Sequence, residues 1–410
     1  MIKMSVNTLT FEQVSTILNS LYQQATGRTA LTSQTTGDFI SVAQATISAG
    51  NDAVMNAIGN VLGRTIFAIR PYNARFAGLE KGWDRWGAYM RKLSIADSDF
   101  ADDAAYDYPV TYDANETVPS GDGGTVDQWT IKKPDILQTY FMGSSVYGDH
   151  VSIMEDQLES AFRGPEELGS FLSLITTNLS NRLELSRDTL ARGLVANLIA
   201  SLVSENQSGR VIHLLTEYNT LCGLTGDDEL TTSTVYQPDN FAPFMKWVYS
   251  RIAQVSDLMT EHSELFQTVV NSKHILRNTP MQRQKVYLYA PARHQIDARV
   301  LTDTFHDNYL RYADVETVNF WQSIKTPDTV KCKPTYTHTD GTAKTPGSAV
   351  TQANVFGVIF DEDCMGYTLL DRRVVPTPVN ASGLYRNLWV HCKQRVFMDN
   401  TEKAVVLLLD

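Results

Sequence analysis

The sequence predicts an α+β protein organised around one very long helix. Residues 164–204 carry leucine or isoleucine at spacings of three, four or their multiples, which lines one face of a helix. Pro165 suits the first helical position, where a missing N–H costs nothing. Strand-like residue patterns precede this segment and return at the end of the chain. At 1.5 Å per residue the helix would be about 55–60 Å long, so other parts of the chain must lie along it.

Composition narrows the class of protein. The chain has 410 residues, of which 43% are hydrophobic and 20% charged, enough for two or three domain-sized units. No apolar run is long enough to span a membrane. The four cysteines lack metal-binding spacing, which is typical of free thiols made in a reducing cytosol. The net charge of −11 argues against a dedicated nucleic-acid binder, but not against a protein that encloses nucleic acid without gripping it.

The first 65 residues are interpreted as an N-terminal arm. An amphipathic helix is predicted within residues 1–30, with Gly27 as its stop. A second helical stretch, residues 39–62, is rich in small side chains and has little apolar surface of its own. An ordinary helical cap on the same domain is the alternative to an arm.

Residues 104–133 are predicted to form a long hairpin with a glycine-rich tip. Tyrosines alternate along its first arm, and a turn cluster follows. The glycines could indicate a phosphate-binding loop, but neither a Lys-Ser/Thr ending nor a helix follows them. Because an isolated hairpin is only marginally stable, we expect it to rest on a neighbouring molecule. The candidate inter-subunit contacts are Tyr106, Tyr108, Tyr112, Pro119, Gly121, Gly123, Gly124 and Trp129.

The remaining elements flank or follow the long helix. A strand and then an amphipathic segment starting near Val151 are predicted to lead into it. Residues 241–266 are predicted to be helical, and residues 285–289 to form a buried strand followed by a turn and a helix. Residues 355–370 predict two strands around an acidic turn, and a further pair is joined by the compact turn DNTE at residues 399–402.

The sequence contains no constellation that indicates catalysis. The acidic triplet Asp361, Glu362 and Asp363 could suggest a metal site, but no second cluster supports one. His391 and Cys392 are neighbours on a predicted strand, so their side chains point to opposite faces and cannot act together. The sequence contains no GxSxG, HExxH or Walker motif. We therefore predict no enzyme activity, no catalytic residues, no metal and no cofactor.

The order of elements resembles one family of structural proteins. An N-terminal helical arm, a long hairpin, a very long helix, an α/β insertion and returning C-terminal strands follow one another. The helix start, GPEELGSFLSLI, and the closing region, from GVIFDEDCMGYTLL to FMDNTEKAVVLLL, contribute most to the resemblance. The chain resembles the major capsid proteins of tailed bacteriophages with the Hong Kong 97-like capsid fold, similar to those of phages of gut bacteria.

This resemblance implies an α+β fold with named parts. These are an N-terminal arm, an extended hairpin loop, a long spine helix with a peripheral β-sheet, and an α/β axial domain. The implied division is an arm at 1–65, the start of the peripheral domain at 66–99, the extended loop at 100–133, the peripheral domain at 134–209 with the spine helix at 164–204, the axial domain at 210–375, and C-terminal strands at 376–410 that return to the peripheral domain beneath the spine helix.

The resemblance also implies a function. The chain would self-assemble as hexamers and pentamers into the icosahedral head shell around the double-stranded DNA of a tailed phage. It would assemble in the host bacterial cytoplasm and reside in the virion, with a portal and possible decoration proteins as partners and no membrane. One alternative is an encapsulin-like compartment shell that packages a cargo enzyme. Another is a cytosolic enzyme of unknown type.

Two family features are not matched. Residues 1–65 are too short and too regularly patterned for a cleaved scaffolding segment, so we predict a separate scaffolding protein. Some family members cross-link subunits through a Lys–Asn bond aided by a carboxylate. Lys81, Lys92, Lys132 and Lys133 lie in the relevant region, but the required trio cannot be matched. We predict no cross-link.

Overall fold

The computed structural model describes residues 11–28, 36–48, 76–81, 90–96, 135–141, 144–154, 157, 164–205, 207, 209–272, 275–290 and 314–410. The chain divides into two units. The first contains residues 1–88, 142–194 and 366–397, and the second contains residues 89–141, 195–365 and 398–410. Helices and strands are mixed, which confirms the predicted α+β class. None of the described helices is long and apolar enough to cross a lipid bilayer.

The predicted long helix is confirmed. The first described helices are α1 (Phe11–Thr26), α2 (Thr36–Ser48) and α3 (Pro165–Glu205), and α3 is the predicted long helix. The 41 residues of α3 run without a break at Gly193. Its residues up to Leu194 belong to the first unit, and the rest belong to the second.

Helices α1 and α2 share one hydrophobic core with α3. The predicted face of α1 is buried at Val14, Leu18 and Leu21, and Gly27 follows the helix with a φ of 71°. The α3 side of this core is formed by Leu168, Ile175, Leu179 and Leu183. The described helices of the predicted N-terminal arm thus pack inside the first unit, as the alternative of an intramolecular cap requires.

A three-stranded sheet covers the same core. Its strands are β3 (Ser144–Met154), β12 (Met365–Pro376) and β13 (Tyr385–Met398), in the order β12-β13-β3, with β13 antiparallel to β3. Leu388 and Val390 of β13 and Ile153 of β3 belong to the core cluster. His391 is exposed and Cys392 is buried, which confirms that these neighbours point to opposite faces.

Strand β3 differs from the prediction at its end. Val151 was expected to begin an amphipathic segment, yet the strand continues to Met154. It does so because β13 offers it a ladder over its whole length, from Ser144 opposite Arg395 to Met154 opposite Tyr385.

Two ion pairs lie along α3. Arg187 Nη1 lies 2.8 Å from Glu184 Oε1, and Arg192 Nε lies 2.7 Å from Asp188 Oδ2. Both pairs are protected from solvent, since Glu184, Asp188 and Arg192 are all buried. The Arg192 guanidinium also stands 5.2 Å from the centre of the Phe76 ring, which gives its charge a second partner.

The second unit is built on a five-stranded mixed sheet. Its strands are β4 (Val211–His213), β5 (Gln284–Tyr289), β6 (Asp314–Val318), β11 (Val355–Asp361) and β14 (Ala404–Leu408). Their order is β4-β14-β11-β5-β6, with β14 parallel to β4, β5 parallel to β6, and β11 antiparallel to both of its neighbours. Every residue of β11 and β14 is buried, as expected for central strands covered on both faces.

Two helices pack on this sheet. They are α4 (Leu214–Cys222) and α5 (Pro238–Thr260). Helix α5 begins with Pro238, a residue favoured at the first helical position. It buries Phe241, Phe244, Val248, Ile252 and Val255. The predicted helix at 241–266 is thus shorter at its end. The helix predicted after residue 289 lies outside the described residues.

Small ladders complete the second unit. Strands β7 (Val330–Cys332) and β10 (Val350–Gln352) form one, and β8 (Tyr336–Thr337) and β9 (Ala343–Lys344) form another. A third joins β1 (Met90–Ala96) to β2 (Asp135–Phe141).

The C-terminal strands do not stay together. Residues 376–410 were grouped with the peripheral sheet, but β13 pairs with β3 in the first unit and β14 is a central strand of the second. The named domains of the capsid fold remain predictions.

Candidate assembly surface

The two-stranded ladder formed by β1 and β2, here called the ribbon, brackets the predicted hairpin. Its strands pair antiparallel from Met90 opposite Phe141 to Ala96 opposite Asp135. The predicted contact residues, from Tyr106 to Trp129, fall between the two strands and lie outside the described residues. The ribbon is therefore the described base of that segment.

One face of the ribbon is open to solvent and carries four large apolar side chains, with Arg91 opposite Tyr140 and Gln138 opposite Leu93 on the same face. Leu93 is 53% exposed, Ile95 62%, Ile136 52% and Tyr140 47%. Ile95 and Ile136 are directly opposite each other across the ladder, so their side chains form a cross-strand pair. A cluster of large exposed apolar side chains on so small an element is typical of a surface that another molecule covers. We call these four residues the ribbon face.

The opposite face of the ribbon is held in place by ion pairs and hydrogen bonds of charged side chains. Lys92 Nζ contacts both Asp399 Oδ2 and Glu402 Oε1. Arg277 Nε lies 3.3 Å from Glu402 Oε1, and its Nη2 donates to Ser94 Oγ at 3.3 Å. We call Lys92, Arg277, Asp399 and Glu402 the anchor cluster.

The turn between β13 and β14 supplies both carboxylates of the anchor cluster. Asp399 Oδ1 accepts hydrogen bonds from the Thr401 backbone N–H at 3.0 Å and from Thr401 Oγ1 at 2.6 Å. Arg277 Nη1 donates to the Thr401 carbonyl oxygen. The compact turn predicted at DNTE is thus confirmed, and its polar atoms converge on the ribbon.

A second layer of polar contacts holds the turn from beneath. The buried Arg210 guanidinium donates to the Glu402 carbonyl oxygen at 3.1 Å and to the Ala404 carbonyl oxygen at 3.3 Å, and its Nη1 lies 3.2 Å from Glu205 Oε2. Burial lowers the pKa of Arg210, and the Glu205 carboxylate opposes that shift. Asn400 Nδ2 donates to the Thr337 carbonyl oxygen at 2.8 Å. The position of the turn is therefore set by several hydrogen bonds at once.

The anchor cluster shifts the pKa values of its own members. Burial disfavours the charge on Lys92, but the carboxylates of Asp399 and Glu402 outweigh it and raise the Lys92 pKa above its usual value. Burial likewise acts to raise the pKa of Asp399, but the Lys92 charge and hydrogen bonds from Lys92 and Thr401 lower it. Both groups are charged at neutral pH, so the contact is an ion pair.

The acidic triplet has a cationic partner of its own. Arg283 lies 3.7 Å from Asp361 and 3.4 Å from Glu362, and it also contacts Asp363. Asp361 is buried and accepts a hydrogen bond from Thr279 Oγ1 at 2.8 Å. Among the residues that the structure describes, no group of His, Cys, Asp and Glu is arranged to hold a metal ion. The triplet is a salt-bridged turn.

The sequence indicated only parts of the anchor cluster. Lys92 was noted among the lysines near a family cross-linking position, and residues 399–402 were recognised as a turn. Arg277 was missed. The sequence did offer one signal for a cationic partner such as Arg277. The charged turn lies directly before the wholly apolar strand β14, and charges buried next to such a strand need partners.

Comparison with known proteins identifies the family. The family model for the Phi29-like phage major capsid protein matches residues 14–408. The chain belongs to this family. The match includes the ribbon, the anchor cluster and both units of this capsid protein, and it places the protein in the phage virion. The protein is thus a structural component of a phage head.

Solved structures of phage proteins are also similar to this chain. A chain in the structure of the head fiber and inner core protein gp22 of native bacteriophage P68 is 10% identical, with a TM-score of 0.50 over 82% of this chain and 85% of that one. The capsid of Staphylococcus phage Andhra gives 11% identity, a TM-score of 0.49, and coverage of 82% and 84%. A chain in the capsid of cyanophage P-SCSP1u is 11% identical, with a TM-score of 0.42 over 81% of this chain and 87% of that one. No match was found among curated proteins.

Proposed function

We propose that this capsid protein self-assembles as hexamers and pentamers into the icosahedral head shell that encloses the double-stranded DNA of a tailed bacteriophage. Assembly takes place in the host bacterial cytoplasm with a separate scaffolding protein, and a portal and decoration proteins complete the head. In this proposal α3 is the spine helix, residues 100–133 are the extended loop and residues 210–375 are the axial domain. Family membership supports the general role, and the ribbon supports the mode of assembly.

The ribbon face carries the proposal. Its four large side chains are about half exposed, while the other face of the same two strands is fixed by the anchor cluster. A two-stranded ladder is only marginally stable in water, and this one exposes four large apolar side chains on the face that the anchor cluster leaves open, so a second surface is needed to cover them. Covering the remaining exposed area of each side chain contributes about 1 kcal/mol. The proposed partner is a neighbouring subunit, and the hairpin contacts at residues 106–129 extend the same interface.

Charge is compatible with enclosing a genome. The chain has a formal net charge of −11, and affinity for DNA depends mainly on cationic contacts with phosphate. A shell wall of this composition would confine DNA without binding it tightly.

The experiment compares shell formation by two matched variants. The double variant Ile95→Thr/Ile136→Thr keeps β-branched side chains, and hence the strand preference, but removes the cross-strand apolar pair. The control is Ile324→Thr, at another exposed isoleucine of the second unit. We expect folded subunits in both cases, but closed shells by negative-stain microscopy only from the wild type and the control.

Two further experiments test the proposed function. Deleting residues 113–125 should leave a soluble subunit that does not form closed shells. Particles from infected cells should contain DNA that is protected from nuclease. Normal shells from both the double variant and the deletion would contradict the proposed interface, and particles filled with a protein cargo would contradict the genome-enclosing role.

A further inference from the structure

Helix α3 has an exposed stripe that is separate from the ribbon face and the anchor cluster. Leu174 is 72% exposed and Leu185 is 62% exposed, although both lie in the middle of a 41-residue helix. Asn178 and Asn181, also exposed, lie between them. The spacings of four, three and four residues place all four side chains on one face of the helix. We call Leu174, Asn178, Asn181 and Leu185 the α3 stripe.

The α3 stripe faces away from the core of its own unit. The buried positions Ile175, Leu179 and Leu183 form the core-facing side of the same helical segment. Arg182, beside the stripe, is drawn towards β3, where its Nη1 lies 3.0 Å and 3.1 Å from the two carboxylate oxygens of Asp149. The stripe is therefore a shallow groove with a leucine at each end and two amides in the middle.

The order Leu-Asn-Asn-Leu is symmetric about the midpoint between Asn178 and Asn181. If a second copy of the helix runs antiparallel across the stripe, Leu174 meets Leu185 of the second copy, and Asn178 meets Asn181 of the second copy. Each leucine then has an apolar partner, and each asparagine faces an amide that can both donate and accept a hydrogen bond. A two-fold interface requires self-complementarity of this kind.

We propose that the α3 stripe is the contact between two copies of this chain related by a local two-fold axis of the shell, with their long helices antiparallel. The inference rests on the proposed shell function. A helix of about 60 Å must lie along a shell wall, and a two-fold axis perpendicular to the wall reverses its direction. A contact along the α3 stripe, which spans about three helical turns, buries far less surface than the roughly 800 Å² per partner that a stable complex buries. The contact therefore forms only when the shell already holds the copies side by side.

Cysteine cross-linking tests the antiparallel register. Leu174→Cys and Leu185→Cys are made separately in a Cys222→Ser background, because Cys222 is an exposed free thiol. Shells assembled from an equal mixture of the two should give a disulfide dimer on mild oxidation. Shells of either variant alone should give at least tenfold less. In the antiparallel register, two copies of residue 174 are about 16 Å apart along the axis, whereas a disulfide requires Cα atoms within about 7 Å.

A charge-swap variant tests the same contact without cysteine. Leu174→Asp or Leu185→Lys alone should lower the yield of closed shells at least tenfold, and the double variant Leu174→Asp/Leu185→Lys should recover most of it. Within one chain these positions are three turns apart, so the introduced charges cannot pair with each other. Leu221→Asp, at another exposed leucine, is the control and should assemble normally. Melting temperatures of the free subunits should agree within about 3 °C.

Each outcome has a definite meaning. Dimers from a single cysteine variant would indicate a parallel contact and overturn the proposal. Cysteines that are shielded from a thiol reagent in shells without forming dimers would show that another partner covers the stripe, and reactive cysteines would show that nothing does. Both results overturn the inference while leaving the shell function intact. Failure of the wild-type protein to form shells would overturn the proposed function as well.

Discussion

Replacing Lys92 by methionine is expected to loosen the ribbon from the second unit. Methionine keeps most of the length of the side chain and removes only the ammonium group. Its loss leaves the carboxylate of Asp399, whose side chain is 1% exposed, and that of Glu402, which is 11% exposed, without their shared cation. Breaking a buried ion pair by removing one partner typically costs about 3–5 kcal/mol.

The expected cost is at or below the lower limit of that range. The Lys92 side chain is itself 25% exposed, and Arg277 remains 3.3 Å from Glu402 in the variant. We therefore expect a loss of about 2–3 kcal/mol in the free energy of unfolding. The lowered pKa of Asp399 gives a stabilisation that is present above its unfolded pKa and is lost as the pH falls through the folded pKa. The raised pKa of Lys92 gives a stabilisation that is lost only as the pH rises through that folded value.

Urea unfolding of the free subunit measures the loss, and hydrogen exchange shows where it acts. Amides of β1 and β2 should exchange faster in Lys92→Met, while those of β13 should change little. The matched control is Arg182→Met, which breaks an ion pair with Asp149 whose side chains are 47% and 22% exposed. Such an exposed pair contributes about 0–1 kcal/mol. If Lys92→Met costs no more than Arg182→Met, the anchor cluster does not hold the ribbon as argued.

Two further predictions concern the second unit and α3. Gly357→Ala should lower the free energy of unfolding by about 1–3 kcal/mol, because a Cβ there would lie 2.9 Å from the Tyr287 carbonyl oxygen. Gly193→Ala should raise it by about 0.5–1 kcal/mol, because a Cβ at Gly193 inside α3 meets open space. Thermal melting measures both changes. Burial lowers the pKa of Lys403 to about 8, although the charges of Glu261 and Glu402 act to raise it. Since the folded state favours the neutral amine, the wild type should gain about 2 kcal/mol relative to Lys403→Met between pH 7 and pH 10 in urea unfolding, and parallel curves would contradict this.

Local patterns predicted the parts of the fold that local physics determines. Helix α3 was predictable because its periodicity extends over many turns and Pro165 marks its start. The β13–β14 connection was predictable from its turn residues. Ion pairs within α3 were predictable because residues three and four positions apart share one helical face.

Long-range pairing was not predictable in the same way. Strand β3 extends to Met154 because of its ladder with β13, and Ser152 Oγ donates to Asn387 Oδ1 at 2.6 Å across that ladder. Nothing near Val151 in the sequence indicates this partner. The buried pattern of β14 predicted a central strand, but which sheet receives it depends on strands elsewhere in the chain.

The candidate site shows the same division. The alternating exposure of the ribbon follows from the pleat of a strand, and a hairpin was predicted in the segment between its two strands. The anchor cluster joins β1 to a turn roughly 300 positions later, a separation over which the sequence gives no register. Its members could be seen as charged residues but not as partners.

The position of β14 has a consequence for how the protein is made. It lies between β4 and β11, and Val406 pairs with Val211, which is synthesised roughly 200 positions earlier. At about 5–20 residues per second, a ribosome needs about 10–40 s to supply the partner of β4. Throughout that interval the second unit has an unfinished sheet with an open apolar edge. Nascent chains on crowded ribosomes are therefore most vulnerable to aggregation in this window, and we expect chaperones to bind them there.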